Sequence, residues 1–188
     1  MKIFTNHHDT LLNVYGFAQD ADRFYVVTDA RRTDERDELQ EAVMLRGRFS
    51  EKDAALFTRT LFEAVGYCHS NNIVHKFLCP ENILLKRNCE MEDIKVINFN
   101  PWDFGKNTHL NEKFSPPHFL APEVCDGGFN EKSDAWSAGA IIYFLLSGQP
   151  PFSGNTDQEI INNIKTAEVS LHSPVWESIS APAKELLM

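Results

Sequence analysis

At 188 residues, 43% apolar and 24% charged, the chain suits one soluble domain with a sizeable core. Its net charge of −9 argues against nucleic acid and anionic membrane surfaces as partners. The four cysteines (Cys68, Cys79, Cys89, Cys125) form no C-x-x-C, and the most apolar run, 138–146, is far short of the about 20 residues a membrane span needs, so a reduced protein of the cytoplasm or nucleus is expected.

Two apolar, β-branched runs, 11–15 and 23–28, read as strands joined by Gly16 to Asp22. The charged run 30–37 reads as a solvated loop. A short helix follows over 37–46, with Gly47 suited to its C′ position. Ser50 caps the next helix; Ala54, Phe57, Leu61, Ala64/Val65 and Cys68 recur at helical spacing to about His69. The short runs 83–85 and 95–97 read as a hairpin. From Asn98 to Ala121 there is no periodicity, which marks a functional or mobile segment. Ser133 and Asp134 start a helix running to Ser147, apolar nearly all round and hence central and buried. Gly148-Gln149-Pro150-Pro151 ends it. Thr156 caps another helix with Ile160, Ile161 and Ile164 inward, and Ser180 starts a last one with Pro182 in its first turn.

Between the long amphipathic helix and the hairpin lies Ile73-Val74-His75-Lys76-Phe77-Leu78-Cys79-Pro80-Glu81-Asn82-Ile83-Leu84-Leu85. It resembles the catalytic loop of eukaryotic protein kinases, H-R-D-L-x-x-x-N, with the aspartate position held by Phe77. Further motifs follow in the family's order. Ile97-Asn98-Phe99-Asn100 stands at the D-F-G position, Ala121-Pro122-Glu123 is the A-P-E motif, Asp134-Ala135-Trp136-Ser137-Ala138-Gly139 resembles D-x-W-S-x-G, and Gly148-Gln149-Pro150-Pro151-Phe152 matches G-x-P-P-F. Gly47-Arg48-Phe49-Ser50-Glu51 and the helix after it resemble the calcium/calmodulin-dependent group. A literal D-F-G at Asp103-Phe104-Gly105 offers a rival register, which would lengthen the span from Phe77 and shorten the span to Glu123.

The resemblance implies an α+β, predominantly α fold: residues 1–29 as an N-lobe remnant with two strands and the start of the hinge, 30–188 as a helical C-lobe truncated in its last helices. It implies that the Gly-rich phosphate loop, the strand lysine and its glutamate partner have no counterpart in this sequence. It also implies that the arginine partner of Glu123 lies past Met188. His75 and Phe99 match the family's regulatory spine, with Val14 as a strand member, and Asp134 matches the buried aspartate that holds the catalytic loop. Thr28 is the gatekeeper position and Asp29 begins the hinge. With Glu38, Glu81, Asn82 and Leu84 they form the candidate nucleotide-binding set, and Asn82 is the one retained metal-ligand position. Thr108 and Ser115 are candidate phosphorylation positions.

The chemistry implied is impaired. Phe77 can neither orient a substrate hydroxyl nor take its proton. Cys79, at the loop-lysine position, offers no cation to a phosphate. Asn98, at the metal-binding aspartate position, brings no negative charge, and Mg²⁺ sites lean on carboxylates. These losses argue against any requirement for ATP or Mg²⁺. The expectation is a pseudokinase acting through a protein partner, with no nucleic acid or membrane. A serine/threonine kinase of low residual activity, alone or within a longer chain, and a non-functional truncated fragment stand as alternatives.

Overall fold

The computed structural model describes residues 8–29, 38–85, 91, 93–98 and 117–188, with the backbone alone at Phe17 and Phe24. In chain order these form β1 (Val14–Gln19), β2 (Phe24–Thr28), α1 (Leu39–Arg46), α2 (Glu51–Ser70), β3 (Ile83–Leu85), β4 (Ile94–Val96), α3 (Glu131–Ser147), α4 (Asp157–Thr166) and α5 (Ala181–Glu185). Short 3-10 turns lie at Pro80–Asn82, Pro117–Phe119, Val124–Asp126 and Pro174–Ser178. The class is α+β and predominantly helical, as expected.

Two helices make the core. In α2, Ala54, Phe57, Leu61, Ala64, Val65 and Cys68 are buried along one stripe, and the Ser50 hydroxyl accepts from the Asp53 N–H at its start. This stripe packs on α3, which is buried over most of its circumference. Trp176 lies against Tyr143 of α3 and seals the far side, with ring centroids 4.7 Å apart. A smaller cluster of Phe152, Ile160 and Ile164 holds α4, and Trp136 stacks on Phe152 at 5.9 Å. The start of α5 is tied to α2 by the Ser180 N–H donating to the Glu51 carboxylate at 2.8 Å.

The hairpin β3–β4 pairs Ile83 with Val96 and Leu85 with Ile94. Both its edges are extended by single residues from distant segments: Leu11 bridges to Val96 and Glu38 bridges to Leu84. This corrects the first expected strand. Leu11 does not continue into β1. It is drawn onto β4, where the Val96 N–H donates to the Thr10 carbonyl at 2.8 Å, and its side chain is buried in the main core. The strand begins three residues later and runs on to Gln19, into the segment expected to connect the two strands. Asp20 closes the turn by accepting from the N–H groups of Asp22 and Arg23. Val26 and Val27 of β2 face opposite sides of this two-stranded ribbon and are both about half exposed.

The start of α3 also differs from the expectation. Asn130, not Ser133, is the cap. The Ser133 hydroxyl accepts from the Asn130 N–H in a reciprocal capping box, so Ser133 and Asp134 lie inside the first turn. No helix among the described residues is long and apolar enough to cross a membrane.

The C-terminal ends of α1 and α3 meet through two glycines. Gly47 (φ 83°) and Gly148 (φ 76°) both hold left-handed backbone, and a Cβ on Gly148 would overlap the Gly47 carbonyl oxygen. Gly148→Ala should therefore lose about 2–5 kcal/mol in chemical denaturation. Gly127→Ala, at φ 86° with open space around it, should lose only about 1–2 kcal/mol. Equal losses would show that the glycine–glycine approach does not constrain the fold.

Candidate functional site

The site is built around one buried carboxylate. Asp134 sits in the first turn of α3, 1% exposed. Its Oδ2 accepts from the His75 backbone N–H at 2.8 Å and faces His69 Nε2 at 2.9 Å; its Oδ1 accepts from the Lys76 N–H at 3.0 Å. A buried charge is tolerable only when paired and hydrogen-bonded, and these three donors do that. In return the loop between α2 and β3 is held in one conformation. Lys76 adopts φ 72°, a left-handed backbone that a side chain disfavours and that the clamp stabilises.

His75 links the loop to the segment after β4. Its Nδ1 accepts from the Phe77 N–H at 3.2 Å, which leaves Nε2 as the protonated nitrogen, donating to the Ile97 carbonyl at 3.0 Å. Burial holds His75 below the usual histidine range, opposed in part by the Asp134 charge. The same surroundings act on the Cys68 thiol, which burial and then Asp134 push up to about 12.

Phe77, Cys79 and Asn98 fall in this loop and its neighbour. Phe77 is half-buried, its ring 6.0 Å from that of Phe129, and the Lys76 ammonium stands 5.8 Å from the same Phe129 ring. Cys79 is buried in the main core and precedes the 3-10 turn at Pro80–Asn82. Asn98 (φ 59°) directs Nδ2 to Asn82 Oδ1 at 2.8 Å, while Asn82 Nδ2 donates to the Phe77 carbonyl at 2.8 Å. Phe77, Asn82 and Asn98 thus form one hydrogen-bonded group. The donor set does not fit the divalent cation that the resemblance implies: neither Asn82 nor Asn98 brings a carboxylate, and Asn98 turns an N–H rather than an oxygen toward Asn82 Oδ1.

The nucleotide candidates divide into two sets. Leu84 is half-buried in β3 and pairs through its backbone with Glu38, which is exposed at the N-cap of α1. Thr28 ends β2 opposite Val14 of β1, and the Asp29 N–H that follows donates to the Asn13 carbonyl at 3.2 Å. The Asp29 carboxylate accepts from the Asn13 N–H and the Tyr15 hydroxyl, and the Tyr15 bond holds its carboxyl below the usual range. Asp29 is therefore engaged at the base of the ribbon. Glu81 is half-buried in the 3-10 turn, with Oε2 shielded from solvent and without a hydrogen-bond partner among the described residues. Glu123 Oε1 accepts from the Ser133 hydroxyl at 2.6 Å. Phe99, Thr108, Ser115 and the rival Asp103-Phe104-Gly105 lie outside the described residues.

His69 and Phe129 complete the site and were not singled out from the sequence as site residues; Ser133 was expected only as a helix start. A histidine in the last turn of the helix before the loop was a usable signal for His69. Phe129 carried none, since its contacts are made across the fold.

Because His75 has a lower pKa folded than unfolded, the unfolded chain binds more protons below its value of about 6.5. The stability that depends on neutral His75 is complete above that pH and is lost as pH falls below it. The Tm should drop between pH 7 and about 5, and the profile of His75→Leu should be lower overall but flatter across that interval. Parallel profiles would remove His75 as the source.

Residues 1–188 match the family model of the protein kinase domain. Over 187 residues the chain is 36% identical to calcium-dependent protein kinase 4 of Plasmodium berghei (strain Anka), covering 96% of this chain and 34% of the relative. It is 34% identical over 184 residues to calcium-dependent protein kinase 5 of Plasmodium falciparum (isolate 3D7), covering 96% and 31%, and 33% identical over 178 residues to calcium-dependent protein kinase 25 of Arabidopsis thaliana, covering 94% and 34%. The chain spans about a third of the length of these curated relatives. Motif order, a helical α+β fold, the Asp134-clamped loop and a match along the whole chain lead to one assignment: the chain belongs to the protein kinase domain family, in its serine/threonine, calcium/calmodulin-dependent-like group.

Proposed function

We propose that this chain is a catalytically impaired protein-kinase-like domain, a pseudokinase, that serves as a scaffold or regulator in signalling. The observation that carries this reading is Phe77. The loop around it is clamped by Asp134 and tied to Ile97 by His75, so the scaffold for positioning is intact. The side chain at the position of the general base is a phenyl ring beside Phe129, and such a base typically contributes about 10²–10⁴ in rate. Cys79 in the core and Asn98 bonded to Asn82 support the same reading. On this reading ATP and Mg²⁺ are not required, and the partner is a protein. The net charge of −9 favours a basic protein surface over nucleic acid or anionic lipid, and the unbridged thiols of Cys68 and Cys125 suit a reducing compartment, cytoplasm or nucleus.

Two other readings have an observation each. Asn82 is retained, which favours a kinase of low residual activity. The chain spans about a third of its relatives' length, which favours a kinase fragment whose activity, if any, belongs to a longer protein.

A thermal melt with and without Mg²⁺-ATP, followed by a phosphate-transfer assay on a protein substrate, separates the three. A ligand at 100 times its Kd stabilises by about 2.7 kcal/mol, and in a chain of this size each kcal/mol moves Tm by about 2–4 °C. The expected result is a cooperative melt indifferent to nucleotide, with transfer no greater than that of Asn82→Ala. Transfer abolished by Asn82→Ala would overturn the proposal in favour of an active kinase. A melt without a cooperative transition would favour the fragment.

A further inference from the structure

The polarity of the amides in this site carries a consequence for how the loop is held. A carbonyl oxygen only accepts hydrogen bonds, so the bond to Phe77 O fixes Asn82 with Nδ2 toward Phe77 and Oδ1 toward Asn98. Asn98 completes the pair by donating from Nδ2 at 2.8 Å. Hard divalent cations take oxygen ligands and lean on carboxylates. Here Asn98 turns an N–H hydrogen, not an oxygen, toward the Asn82 oxygen. Among the described residues, no group of three or more His, Cys, Asp or Glu side chains could hold a metal ion. The backbone presenting Asn98 is pinned from both sides at Ile97, whose N–H donates to the Asn82 carbonyl at 2.9 Å and whose carbonyl accepts from His75. Asn98 itself stands at φ 59°, which asparagine tolerates.

We propose that the Asn98–Asn82 amide pair is an ion-free latch. The direct hydrogen bond ties the segment after β4 to the loop after α2, so the loop keeps its shape with no divalent cation. This rests on the reading of the loop as a non-catalytic scaffold and adds what holds it closed. An amide pair is self-complementary, one donor against one acceptor. A carboxylate at position 98 would set two acceptors against each other and would need a cation between them.

The test is a set of melts of the full 188-residue chain in EDTA, in millimolar Mg²⁺ and in millimolar Mn²⁺. The wild-type Tm should be the same in all three. Asn98→Asp should melt about 3 °C or more lower in EDTA and recover in Mg²⁺ or Mn²⁺. Asn98→Ala should melt lower and recover in neither. A wild-type Tm that rises with either ion, an Asn98→Asp Tm equal to wild type in EDTA, or recovery of the alanine variant by ions would each overturn the latch. Should Asn98→Asp fail to fold, side-chain amide hydrogen exchange of the wild type in EDTA decides. Slowed exchange at Asn98 Nδ2 supports the latch, and exchange at the rate of a solvated amide overturns it. Phosphate transfer by the wild type would overturn the proposed function without altering these melts. An ion-responsive wild type would overturn the latch without placing a general base at Phe77.

Discussion

The Asp134 carboxylate is the interaction on which the rest of this structure depends. It is nearly inaccessible to water, so its charge must be met by fixed donors, and it finds them in the loop that precedes β3. Its place in the first turn of α3 adds the favourable end of the helix dipole. The dependence runs both ways. The loop backbone, with Lys76 in a left-handed conformation, has no regular hydrogen-bond ladder of its own and is ordered by the carboxylate. The carboxylate is in turn placed by the cap at Asn130 and by the packing of α3 on α2.

From that clamp the geometry passes outward by hydrogen bonds. His75, held through its backbone by Asp134, reaches the Ile97 carbonyl through its ring. Ile97 returns to Asn82 through its own N–H. The hairpin β3–β4 therefore lies between two anchors, the loop at one end and the edge residues Leu11 and Glu38 at its sides. The Phe77 ring finds an aromatic neighbour in Phe129, and the Asn98 amide finds a complementary amide in Asn82.

The ribbon β1–β2 stands apart from this frame. Its turn is closed by Asp20 and its base by Asp29, both with local partners. It shares the anchor near Leu11 but exposes Tyr15, Val26 and Val27, as a two-stranded sheet with few covering residues must. Among the described side chains of its strands none is buried, unlike those of β3 and β4, and this explains why its register was hard to read from the sequence.

What the sequence by itself determined was local or ordered along the chain. The Ser50 cap, the stripe from Ala54 to Cys68, the all-round apolar run ending at Gly148 and the order of the motifs were readable because propensity and periodicity act over a few residues. The identity of the side chains at positions 77, 79 and 98 was equally plain. Only the tertiary structure decided the partners. It drew Leu11 out of its expected strand onto Val96, gave the α3 cap to Asn130, set Phe129 beside Phe77, turned Ser133 to Glu123 and brought His69 to Asp134. These pairs lie up to 85 positions apart in the chain. Their formation depends on burial and on satisfying buried polar groups, neither of which leaves a periodic trace in the sequence.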